Sequence, residues 1–105
     1  MADSNEDFSG VLISGHKGLM AVEAPFDPSS IWGIESQQIW PGRRGFPVRG
    51  EMCGHAFESH IVTRSKRFYL LVDEELRAAA DVSVGDIVNV SVQPDRTLKI
   101  KEARS

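Results

Sequence analysis

Apolar and polar residues alternate at the end of the longest legible stretch, with Val88, Val90 and Val92 set against Asn89, Ser91 and Gln93. That period of two predicts a strand with one face in a core and the other in water. Residues 68–92 (FYLLVDEELRAAADVSVGDIVNVSV) read as strand, short capped helix, tight Gly85-Asp86 turn and strand. Asp73 is placed to cap the helix, Glu74 and Glu75 put negative charge on its first turn, and three alanines favour it. Leu76, Ala79 and Ala80 fall at i, i+3 and i+4 and are expected to face the core, with Arg77 pointing away.

The same reading extends along the chain. FSGVLIS and LMAVEA are expected strands joined by the GHKG turn as an opening hairpin, and Pro25 stops the second. Asp27-Pro28 is a helix-start signal, the short helix holding Ser29 to Trp32, Ile31 and Trp32 packing down and Gly33 ending it. Residues 34–47, with two prolines and two glycines, predict an irregular loop. Val48 to Met52 and HAFESHIVTR suggest a second hairpin around Cys53-Gly54. Ser65-Lys66-Arg67 turns the chain, and Gln93-Pro94-Asp95-Arg96 turns it again before a last strand, TLKIK.

Two segments share one layout. VEAPFDPSSIWG then GFPVRGEM, and LLVDEELRAAAD then GDIVNVSV, both read as strand, short helix, strand. Paired about a pseudo-twofold axis, they would close a small double-split β-barrel of about seven short strands with two short capping helices. The expected fold is therefore mainly β. Residues 1–7 are expected to form a disordered tail, 8–101 the single barrel domain, and 102–105 a second tail.

Several residues carry a family resemblance: Pro25-Phe26-Asp27 before Gly33; Val48-Arg49-Gly50 before Gly54 and Phe57; and Leu70-Leu71-Val72, Leu76-Arg77, then Gly85-Asp86 with Val88 and Val90. In this order, over about residues 8–95, the chain resembles the bacterial domain-of-unknown-function nineteen-oh-five family. The resemblance implies a double-split β-barrel held within one chain and a distant similarity to the swapped-hairpin unit of AbrB and MazE-type regulators. It implies no established activity, and some members are found beside a bacteriocin-protection domain. The insert bearing Trp40-Pro41-Gly42-Arg43-Arg44 is longer than the connection the family leads one to expect.

Composition bounds the function. At 105 residues, 41% hydrophobic and 26% charged, the chain suits one globular domain. No apolar run approaches the ~18 residues of a membrane span, and the acidic first residues are unlike a signal peptide, so a cytoplasmic location without membrane contact is expected. The net charge of −3 conceals a division: residues 1–35 carry six acids and one lysine, whereas Arg43, Arg44, Arg49, Arg64, Lys66 and Arg67 face only Glu51 and Glu58. Arg64, Lys66 and Arg67 are candidates for a basic patch, unless the bases point outward from different faces. In the 34–47 loop and just beyond it, Trp40, Arg43, Arg44, Phe46 and Arg49 are ligand-binding candidates: rings to stack on a planar group, guanidinium groups to hold an oxyanion. The alternative is that Trp40 and Phe46 plug the core.

Catalytic chemistry is thinly signalled. Cys53, with His55, Glu58 and His60 nearby, has neither four-ligand zinc spacing nor a base within direct reach along a strand, and is expected to be a small buried residue. No catalytic residue, metal or cofactor is expected. The chain reads as a binding or protein-interaction module for an unknown protein or small ligand, a monomer or weak dimer. A nucleic-acid-binding role through the basic middle is the alternative, set against a pI near 5.5.

Overall fold

The computed structural model describes residues 5–15 and 19–95, and of Trp40 the backbone alone. Its strands are β1 (Glu6–Val11), β2 (Ile13–Ser14), β3 (Met20–Ala24), β4 (Gln37–Trp40), β5 (Arg43–Met52), β6 (His55–Arg64), β7 (Arg67–Val72) and β8 (Ile87–Pro94). Helix α1 (Pro28–Trp32) follows β3 and α2 (Glu74–Ala80) follows β7. The fold is mainly β, a single sheet in the order β1-β8-β5-β6-β7-β3-β2, curled into a half-barrel, with β4 added beside β5. Its described neighbours all run antiparallel.

The two matching segments pair like with like. The first strands meet as β3 on β7, with Val22 opposite Leu70, and the last strands meet as β5 on β8, with Gly50 opposite Val92. Glycine is needed at the second seam, because a Cβ on Gly50 would stand 1.9 Å from the Ser91 carbonyl oxygen. The two ends of the sheet are neighbours in the chain, since β1 and β2 flank Leu12. There the expected single strand breaks: β1 pairs with β8, while β2 pairs with β3 for two positions, Ile13 with Ala21 and Ser14 with Met20. The opening hairpin is thus reduced to β2 on β3. Leu12 leaves the ladder, donates its N–H to the Asp86 carbonyl (2.9 Å), accepts from the Gly85 N–H (2.8 Å), and is fully buried.

The core is the concave side. Val88, Val90 and Val92 are buried as their alternation requires, together with Val22, Phe46, Val48, Met52, Ile61, Leu70 and Val72. Both helices cover it and both use the predicted caps. The Asp27 carboxylate accepts from the Ser29 N–H (2.9 Å) and hydroxyl (2.7 Å), and the Ser29 hydroxyl is the main reason its pKa falls below the usual aspartate value. Asp73 accepts from the Leu76 N–H (2.8 Å). Left-handed residues close both helices, Gly33 (φ 66°) and Asp81 (φ 56°).

Several expectations are corrected. In α1 Trp32 packs down against Phe26, but Ile31 is 43% exposed, because a five-residue helix presents only one narrow stripe. In α2, Leu76 is buried and Ala80 half-buried, while Ala79 faces solvent. Arg77 does not simply point away: it binds Glu74 at 2.9 Å and the Val82 carbonyl at 2.8 Å, and this pairing lowers the Glu74 pKa. Residues 34–47 are not irregular throughout, since Pro41-Gly42 (Gly42 φ 80°) joins β4 and β5 as a hairpin. Strand β8 runs on through Pro94, and the Asp95 N–H reaches the Pro47 carbonyl (2.9 Å) where a turn was expected. Glu6 and Asp7 belong to β1. The middle of the GHKG turn and the TLKIK strand lie outside the described residues.

Candidate functional site

Strand alternation and pairing decide what the convex face carries. With Phe68, Leu70 and Val72 turned inward, Arg67, Tyr69 and Leu71 of β7 point outward. Register then sets Val62 beside Tyr69, Ala21 beside Leu71, and Ile13 beside Ala21. The outer face over β2, β3, β7 and β6 therefore carries an apolar strip, with Glu23 beside Tyr69 at its edge. Ala21 and Val62, at 6% and 4% exposure, form the floor of a groove of about 400 Å³, and Ile13 (39%) and Leu19 (44%) rise as its exposed wall.

Arginines stand at the other end of this groove. Arg64 and Arg67 are cross-strand partners, and Arg43 lies two residues beyond the Gly45–Val62 pair on the same side of β5. Arg43 and Arg64 both line the groove. Arg67 is turned to Glu23 at 3.4 Å, an exposed ion pair of small energetic weight. Among the described residues neither Arg43 nor Arg64 has a carboxylate partner. Lys66, exposed in the Ser65-Lys66 turn (φ 53° and 66°), is beside them in the chain.

The ligand-binding candidates do not assemble as expected. Arg43 enters the groove, but Arg44 is exposed and bonds Ser36, its Nε reaching the hydroxyl at 3.1 Å and its Nη2 the carbonyl oxygen. Arg49 lies further along β5, between Glu58 and Gln93, in a separate polar depression with Glu51 and Ser91. Phe46 is 5% exposed with its ring toward Phe68, 6.4 Å between centroids, which withdraws it from any surface role. The Trp40 side chain lies outside what is described. Of the basic-patch candidates, Arg64 joins Arg43, and Arg67 is held by Glu23.

Cys53 is also corrected. It is exposed, not buried, because it occupies the first position of the two-residue turn between β5 and β6, with φ 51° there and 84° at Gly54. Among the described residues no group of three or more His, Cys, Asp and Glu side chains could hold a metal ion, and no helix is long and apolar enough to cross a membrane.

The apolar floor itself escaped the sequence reading. Its signal was present: FYLLV is apolar at five consecutive positions, as is LMAV at four, and a strand that is apolar on both faces has something to cover on each.

No curated protein matches the chain. A family model described as Domain of unknown function (DUF1905) matches residues 8–92, from β1 into β8 and so across both paired segments. The chain belongs to that family.

Proposed function

We propose that the chain is a binding module whose site is the outer groove over β2, β3, β7 and β6. The observation that carries this reading is a groove on the convex face with an apolar floor, lined at one end by Arg43 and Arg64, neither of which has a carboxylate partner among the described residues. Ile13 and Leu19 stand exposed beside that floor, an apolar wall that a bound partner would cover. A cavity of this size, mostly apolar with a few convergent polar groups, suits a small ligand or one segment of a partner chain.

We also read the sheet as a double-split β-barrel. Support comes from the pairing of β3 with β7 and β5 with β8, and from the sheet's two ends meeting at Leu12. A nucleic-acid role has less behind it, since Glu23 draws off Arg67 and the bases border an apolar floor where a phosphate track would be polar.

The test uses anilinonaphthalene sulfonate, whose rings suit the floor and whose sulfonate suits the arginines. Folded protein is expected to enhance its emission, and Leu71→Gln is expected to abolish most of the enhancement while leaving the melting temperature within a few degrees. Enhancement that is absent, or unchanged in Leu71→Gln, would remove the groove as the site.

A further inference from the structure

From the charge at one end of the groove we infer that its ligand is a small amphiphile with an oxyanion head, of the carboxylate class, and an apolar tail. This inference rests on the groove being the binding site. The head lies between the Arg43 and Arg64 guanidinium groups, and the tail runs over Val62, Ala21 and Leu71 toward Ile13 and Leu19.

Three features select this class. First, two arginines on adjacent strands line one end of the groove, and a guanidinium offers paired donors that match a carboxylate where Lys offers a point charge. Second, the half-buried Tyr69 lines the same groove beside Val62, and no protein acceptor for its hydroxyl is found among the described residues, so it is a third donor at that end. Third, among the described residues no acidic side chain lines the groove, and Glu23, the carboxylate beside Tyr69 on this face, is turned to Arg67, so a cationic head would meet Arg43 and Arg64 first.

Length agrees with charge. From Arg64 to His60, which is the cross-strand level of Leu71, is four residues of β6, about 13 Å at ~3.3 Å per residue. That leaves an apolar track beyond the head for a medium-length chain or a ring. The anionic end supplies specificity, because leaving Arg43 and Arg64 desolvated under a neutral head forfeits their hydrogen bonds to water without replacement. The apolar end supplies area.

The experiment titrates the 15N-labelled full chain with three probes of one tail length: octanoate, octanol and octylammonium. Octanoate is expected to shift the Tyr69, Leu71 and Val62 amides and the Arg43 and Arg64 Nε resonances saturably. It should bind at least about tenfold tighter than octanol, while octylammonium should shift none of them. In the Arg43→Gln, Arg64→Gln double variant, which removes charge from an exposed face and is expected to fold, octanoate should weaken to the level of octanol and octanol should be unaffected.

Equal affinity for all three probes at the groove would overturn the oxyanion assignment and leave the groove reading standing. Absence of shifts at the groove with every probe would overturn both. A short acidic peptide with apolar side chains that binds there while octanoate does not compete would assign the site to a protein partner and overturn the small-amphiphile class.

Discussion

The two halves of the sheet use one plan with different parts. In the first, β3 leads through α1 to β5; in the second, β7 leads through α2 to β8. Each helix starts on an aspartate cap and ends on a left-handed residue, and each buries one large side chain, Trp32 or Leu76. The strand preceding each plan differs more. Strand β6 is continuous and pairs with both β5 and β7, whereas its counterpart is cut at Leu12 into β1, on β8, and β2, on β3. What the plan fixes is therefore pairing and capping, and what it leaves free is strand continuity, the β4 insertion and the outer face.

The largest expected effect lies at the β5–β8 seam. Gly50→Ala drives a Cβ into backbone at 1.9 Å, and neither strand can retreat without losing its ladder, so a loss on the order of 4 kcal/mol is expected in chemical denaturation. At the approach of β1 to β3, Gly10→Ala meets the Val22 Cγ1 methyl at 3.0 Å and the Glu23 carbonyl oxygen at an ordinary 3.7 Å, and about 1 kcal/mol is expected. Similar costs for the two variants would show that both seams are equally tight.

Next comes the break. Leu12→Ala empties a fully buried site held on both sides by the Gly85-Asp86 turn, and about 3 kcal/mol is expected from urea unfolding. A cost near zero would mean that the sheet ends are not anchored there.

Smaller effects separate the helix termini. Asp81→Gly is expected to stabilise by about 0.5 kcal/mol and Gly33→Ala to destabilise by about 1 kcal/mol, because only glycine takes positive φ freely. The Asp27 pKa is lowered in the folded chain, so its contribution is present above the ordinary aspartate range and fades as pH falls through the folded value. Asp27→Asn, which caps without titrating, should therefore lose less melting temperature between about pH 5 and pH 3 than the parent chain.

Much of this comparison was legible in the residues. The Asp27-Pro28 and Asp73 caps, Gly33 as terminator, the Val88, Val90, Val92 face and the limits of β6 all follow from local chemistry that tertiary contacts do not overrule. The β4 strand was hidden because Gln37 and Gln38 have little strand preference of their own and depend on Arg44 and Gly45 opposite, although Pro41-Gly42 is a turn signal. Cys53 was misplaced because residue type argued for burial while its position in a tight turn required exposure. Leu12 gave no sign of breaking its strand, because the cause is the distant Gly85-Asp86 turn. The groove needs Arg43 and Arg64 together, and only the β5–β6 register brings residues so far apart in the chain to one end of one face.

Pairing of like strands about one axis is tested most directly by backbone nuclear Overhauser effects in a single labelled sample. Contacts joining residues around Val22 with those around Leu70, and residues around Gly50 with those around Val92, are expected together. Contacts joining β3 to β5 and β7 to β8 in their place, or the absence of either seam, would contradict the paired halves and remove the face on which the groove is built.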